Sequence, residues 1–207
     1  MKRLIFLIAF WLVTLPAFAA DFAPVWKYTI LPHEGGYSNN RHDPGNWTGG
    51  KEGKGRMLGT KYGIAASVYG ESLLKQGLII KHLTPDQARR IYERDYWKRF
   101  HLDKLASQGI ARELCDELVN MGGGGGESLL RWVWLETEWA TRQKIPVPPK
   151  FTPATIQWIN EWTRTRERRI AFYNSVKMKR IKFYSELVRK RPVMRQFFYS
   201  WVDRSLD

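Results

Sequence analysis

The chain has 207 residues, 43% of them hydrophobic and 14% aromatic, with a formal net charge of +14 at pH 7. That apolar content excludes a disordered tail, and the length gives one domain, or one domain with an appendage, with enough chain to bury a core. The single cysteine, Cys115, excludes an intramolecular disulfide, and the positive excess calls for a polyanionic partner: nucleic acid, anionic lipid or the anionic polymers of a bacterial envelope.

Lys2 and Arg3 precede an apolar run over 4–15 that only Thr14 interrupts. Pro16 and Ala17-Phe18-Ala19 follow, which completes the pattern of a secretory signal cleaved after Ala19. The run is well short of the roughly 20 residues that a spanning helix needs, so stable membrane insertion after cleavage is not expected. Export removes most of the case for nucleic acid as the partner.

Asp21 or one of its neighbours starts a first helix, with Pro24 tolerated in its first turn. Phe22, Val25, Trp26, Ile30 and Leu31 recur at helical spacing; Pro32 should loosen the last turn, and Gly35-Gly36 should stop it. From 37 to 63 the periodicity disappears, and six glycines between Gly45 and Gly59 predict a long loop or a short β-ribbon. Helices resume near Ala65. Thr84-Pro85-Asp86-Gln87 reads as cap, first helical proline and capping box, with Ala88, Ile91, Tyr92 and Tyr96 on one face. A helix over 110–121 buries Cys115 as a small core residue, the glycine run 122–126 ends it, and another helix covers 129–139. A proline-rich connector over 145–149 leads to Thr152-Pro153, which opens a last helical stretch reaching about Arg189. In that stretch Arg169-Ile170-Ala171-Phe172-Tyr173 recurs as Arg180-Ile181-Lys182-Phe183-Tyr184. The offset of 11 residues is close to three helical turns and puts both aromatic pairs on one face. Phe172 and Phe183 are assigned to the core, while Tyr184, Trp201 and Arg204 stay open between core and sugar contact.

The chemistry concentrates in 34–64. Glu34 ends an apolar helix and precedes two glycines, so its carboxyl sits on a rigid element beside a stretch that lets a chain-like substrate approach the backbone. Partial desolvation there would keep the carboxyl protonated for donation to a leaving oxygen. Asp43 follows on the loop in Asp43-Pro44-Gly45. Two carboxyls in unlike environments are what glycosidic cleavage uses, although Glu-Gly-Gly is also common at helix ends and Asp-Pro-Gly is commonly just a turn. The Gly50-Lys51-Glu52-Gly53-Lys54-Gly55 stretch lacks the Gly-Lys-Ser/Thr of a phosphate loop, and His33 and His42 lack metal-ligand spacing; no metal or cofactor is expected.

Glu34-Gly35-Gly36-Tyr37, Asp43-Pro44-Gly45 and Gly59-Thr60-Lys61-Tyr62-Gly63-Ile64 together resemble the signature of glycoside hydrolase family 108. Tyr92-x-x-Asp95-Tyr96-Trp97 and Leu118-Val119-Asn120-Met121-Gly122 resemble its later blocks. The stretch 180–184, Arg191-Pro192 and Trp201-Val202-Asp203-Arg204 resemble the small predicted-peptidoglycan module that often accompanies it. The resemblance implies a mainly α, lysozyme-like fold with the long Gly-rich loop or short ribbon next to Glu34. It divides the chain into a signal over 1–19, a catalytic region over 20–121 and a helical module over 122–207 packed on it. It implies an N-acetylmuramidase acting on peptidoglycan with Glu34 as general acid; with the signal, a monomeric, exported, wall-associated enzyme of periplasm or exterior is expected. Thr60 matches a threonine whose hydroxyl could hold the attacking water, with Thr48 a rival, and Asp43 as second carboxylate rests on position and chemistry. Tyr37, Thr48, Tyr62 and Asn120 are the substrate-binding candidates. The chain departs from the pattern in an apparent insertion over 47–58, in Pro32, in the long glycine run, and in a connector over 144–155 without the module's Asp-Gly signature. A lytic transglycosylase and a non-catalytic basic wall- or nucleic-acid-binding protein are the rival readings.

Overall fold

The computed structural model describes residues 19–141 and 150–206; the expected signal, apart from Ala19, and the 145–149 connector lie outside them. The fold is mainly α, with one two-stranded ribbon among the described residues, as expected.

Helix α1 (Phe22–Val25) begins where Asp21 accepts the Ala23 N–H at 3.0 Å, and it runs on as a π-turn, Trp26–Ile30. The helix stops at Ile30, before the glycine pair expected to end it, because Pro32 has no N–H to continue the ladder. The turn is loosened rather than lost: the His33 and Glu34 N–H groups both reach the Ile30 carbonyl, at 3.0 and 3.1 Å. Phe22, Val25, Trp26 and Ile30 are buried, so this short element is fixed by its apolar face, and Glu34 hangs from its end.

The loop that follows has little apolar content of its own and is organised around one buried amide. Asn46 donates to the Asn40 carbonyl at 2.9 Å, accepts the Thr60 hydroxyl at 2.7 Å, and offers its backbone carbonyl to the Leu58 and Gly59 N–H groups at 3.0 and 3.2 Å. Trp47 bridges Met57 across the apparent insertion, which therefore folds back on itself. Strands β1 (Thr60–Lys61) and β2 (Ile64–Ala65) pair antiparallel around a Tyr62-Gly63 turn with φ of 49° and 69°. Two positive φ values suit the twist of a two-residue hairpin.

Helix α2 (Glu71–Lys75) leads to α3 (Pro85–Tyr92), which carries both halves of the capping box at Thr84 and Gln87. Trp26 packs on Tyr92 with ring centroids 5.4 Å apart, which fixes α3 against the first helix. Helix α4 (Gln108–Thr141) is two helices joined at Gly122, whose φ of 72° and ψ of 160° break the ladder. Only this glycine interrupts. The others in the run are helical, because their missing side chains let the second helix begin against the first: a Cβ on Gly126 would sit 2.7 Å from Leu118 Cδ2.

Beyond α5 (Pro153–Trp162), capped by Thr152, the expected single stretch breaks at 163–165 and restarts from a second cap, Thr165. Thr163 donates its hydroxyl to the Ile159 carbonyl at 2.6 Å, a side-chain bond that competes with helix continuation. Helix α6 (Arg166–Lys190) then buries Phe172, Val176, Arg180 and Tyr184, one every fourth residue, against the first half of α4. Phe172 is core, as expected, but Phe183 is not: it falls beside the buried row and lines a groove with Trp132, while Tyr184 takes the buried place. Helix α7 (Phe198–Leu206) returns along α6, with Trp201 stacked on Tyr184 at 5.1 Å. Cys115 is fully buried, and burial pushes its thiol up.

Candidate active site

Glu34 lies where the first helix, the β-ribbon and α3 meet. The Tyr62 N–H donates to the Gly35 carbonyl at 3.0 Å and staples the ribbon turn to the Glu34 segment. The Tyr92 hydroxyl donates to the Tyr62 carbonyl at 3.1 Å from the other side. Gly63 fills the remaining space: a Cβ there would overlap both Glu34 Oε2 and the Tyr92 hydroxyl. Its φ of 69° independently requires glycine. One face of the carboxyl is therefore packed against backbone.

The other face meets charge from far along the chain. Arg204 on α7 places Nη1 and Nη2 each 3.5 Å from Glu34 Oε1. The same guanidinium holds Asp116 Oδ1 more closely, through Nε at 2.9 Å and Nη2 at 2.7 Å. Asp116 Oδ2 takes Arg180 Nη2 at 2.6 Å, and Arg180 Nη1 reaches Glu113 Oε1 at 3.3 Å. Arg180 also donates through Nε to the Tyr184 oxygen at 3.2 Å, and Asn120 donates to it at 2.7 Å. A cavity of about 210 Å³, lined in part by His33, Arg112, Asp116 and Arg204, opens beside this chain of charges.

Glu34 has 15% of its side chain exposed. Burial pushes its carboxyl above the usual range and is the largest influence; the Arg204 charge and hydrogen bond pull it down, Asp116 pushes it up, and the Tyr92 hydroxyl pulls it down. Burial wins, because Arg204 is already largely neutralised by Asp116 at shorter distance. A carboxyl of this kind can hold a proton and still reach solvent, which is the requirement for a general acid.

The other expected residues make contacts of their own. Asp43 is exposed and accepts the Gly45 N–H at 2.8 Å, capping the short turn Pro44–Asn46. Thr60 gives its hydroxyl proton to Asn46. Thr48 lies in the folded-back loop and accepts the Arg56 N–H at 3.0 Å. Tyr37 is exposed beside β1, its hydroxyl 3.4 Å from the Leu58 carbonyl. Tyr62 is drawn close to Glu34 through its backbone, whereas Asn120 sits at the seam of α4 and α6 on Tyr184. Among the described residues no group of three or more His, Cys, Asp or Glu is arranged to hold a metal ion, and no helix is long and apolar enough to cross a membrane.

Sequence reasoning missed Tyr92 and Gly63 as neighbours of the acid, left Arg204 open, and passed over Asp116. The last had a signal. Glu113, Asp116 and Glu117 fall among Leu114, Cys115 and Leu118, and carboxylates embedded in an apolar helical run have to find partners inside.

Residues 28–122 match the family model Glycosyl hydrolase 108. Comparison with curated proteins and with solved structures found no match. The matched segment contains Glu34, Asp43, Thr60, Gly63, Tyr92 and Asp116 but ends at Gly122, short of Arg204. Residues 28–122 are similar to the glycosyl hydrolase 108 family, and by that match the chain is a peptidoglycan hydrolase.

Proposed function

We propose that the protein is an exported N-acetylmuramidase of the periplasm or cell exterior that cleaves the β(1→4) bond between N-acetylmuramic acid and N-acetylglucosamine, with Glu34 as general acid. The observation that carries this reading is the Glu34 carboxyl itself, pushed up by burial yet still reaching solvent. In this reading Glu34 protonates the bridging oxygen as its bond to the muramic acid C1 breaks. Water then adds to the oxocarbenium-like centre, giving up a proton and leaving a reducing end. Asp43 steadies the developing positive charge or the water, and Thr60, which keeps its oxygen lone pairs free after donating to Asn46, helps to hold that water. Tyr37, Thr48 and Tyr62 contact the glycan from the loop and ribbon, and Asn120 is assigned to the same surface from α4.

One observation favours a second reading. Asp43 already spends Oδ1 on a turn cap, so it is not dedicated to the activation of water. A lytic transglycosylase needs the same acid but closes the muramic acid on its own hydroxyl. Mass spectrometry of products from purified peptidoglycan decides. Hydrolysis leaves ends heavier by one water than the anhydro ends of transglycosylation, and an absence of glycan products leaves only wall binding.

A further inference from the structure

We propose that the active site is completed from outside the family-matched segment: Arg204 of α7, aimed by Asp116 of α4, is the residue that positions the Glu34 carboxyl. The proposal rests on Glu34 being the general acid. Arg204 is not a surface charge that happens to be near. Its side chain is 11% exposed, and Asp116 is almost wholly buried beneath it. A guanidinium withdrawn from water in this way is costly unless its fork is satisfied, and here the fork is shared unequally.

Asp116 takes the two short bonds, and Glu34 receives the two long contacts. Asp116 is itself held by Arg180, which is fully buried and tied to Glu113. From Arg204 inward the charges therefore alternate, cation, anion, cation, anion, and Glu34 is an added carboxyl at the open end. Lys177 lies at the far end, 4.0 Å from Glu113. The remaining titratable groups facing Glu34 are Tyr92 and, further off, Tyr96 from the α3 side, with His33 next to it on its own segment. Arg204 thus steers Glu34 without forming the full ion pair that would strip its proton, and Asp116 is what keeps it from doing so.

The test is the pH dependence of kcat/KM on soluble glycan fragments at constant ionic strength, with folding of each variant checked by circular dichroism. A general acid works while protonated, so its ionisation appears as the alkaline limb of the profile. Arg204→Gln removes the cation that favours the charged carboxylate and should move that limb to higher pH. Because the carboxyl is also less well aimed, the rate at the optimum should fall about tenfold or more. Asp116→Asn should move the limb the other way, to lower pH, since Arg204 is then free to pair with Glu34. Arg204→Lys keeps the charge but not the fork; the rate should fall with the limb little moved, and this variant carries the test if Arg204→Gln does not fold. Limbs that move in the same direction, or not at all, in folded Arg204→Gln and Asp116→Asn would overturn the proposal, as would Arg204→Lys at the full parental rate. Folded Glu34→Gln with full activity would instead remove the reading on which it stands.

Discussion

Glu34 hangs from the end of the first helical turns with 15% of its side chain in water, whereas Asp43, nine residues on, stands exposed on the loop and caps a turn. A third carboxyl, Glu117, goes to the opposite extreme: it is fully buried, and neither of its oxygens has a hydrogen-bond partner. If Glu34 is the acid proposed above, the three carboxyls contrast in what such a role needs. Asp43 stands in open solvent on a turn, and Glu117 is sealed away from any substrate. Glu34 combines a desolvated carboxyl with an open edge, and it owes the first to Gly63, Tyr92 and the Arg204–Asp116 pair, and the second to the Gly35-Gly36 stretch beside it.

The sharpest way to break this comparison is Glu34→Gln. The amide keeps the shape but cannot donate an acid proton, and the expected loss in wall lysis is about 10²-fold or more, the scale of general acid catalysis. A folded variant with near-normal activity would take Glu34 out of the mechanism. Gly63→Ala should approach the same loss, about 10²-fold, without touching any ionisable group, because the added methyl overlaps Glu34 and Tyr92 and displaces the carboxyl. If its rate holds while the protein stays folded, the packed face of Glu34 is not what matters.

Asp43→Asn separates the charge from the turn. The amide oxygen can still accept the Gly45 N–H, so the cap survives and only the charge is lost. A loss of about tenfold confined to kcat is expected if Asp43 acts on the transition state. A rise in KM alone would reduce it to a turn or substrate-contact residue.

The smallest catalytic effect, none, is expected for Glu117→Leu, which should instead stabilise the fold by about 1 kcal/mol by removing buried polar atoms without partners. Burial holds the Glu117 carboxyl well above the usual range, outweighing the opposing pull of Arg180. The native state therefore keeps a proton that the unfolded chain has released once pH passes the ordinary carboxylate range. Its contribution to stability is most favourable in acid and declines as pH rises through the raised native value. The gain from Glu117→Leu should accordingly grow from acid toward neutral pH in thermal melts. A gain independent of pH would mean that Glu117 is ionised in the native state.

Much of the local structure was legible because it depends on neighbours in the chain. Thr84, Gln87 and Thr152 cap the helix starts they were expected to cap, and Asp21 caps the one left open between it and its neighbours, since a cap needs only a side-chain oxygen and the first free N–H groups. Tyr62-Gly63 forms a ribbon turn within the stretch expected to hold one. The glycine run ended the helix at Gly122 as expected, but the next helix starts within the run rather than after it. Glycine ends a helix or lets two helices touch, and only the packing of Gly126 on Leu118 tells the two uses apart. Phe183 fell outside the core and the undecided Tyr184 inside it because a repeat of 11 residues sets a face but not its edge, and one step around a helix is enough to move a ring from core to groove.

The sequence by itself determined the helical character, the loop, the position of Glu34 at a helix end and the family likeness of residues 28–122, all of them properties of short or contiguous stretches. Tertiary structure alone decided how deeply Glu34 is withdrawn from water and which charges face it. Arg204 lies 170 positions away in the chain, Asp116 sits on a different helix, and Gly63 comes from the ribbon. Desolvation and Coulomb interaction depend on distance in space, and periodicity along a sequence carries no information about which distant segment will close that distance.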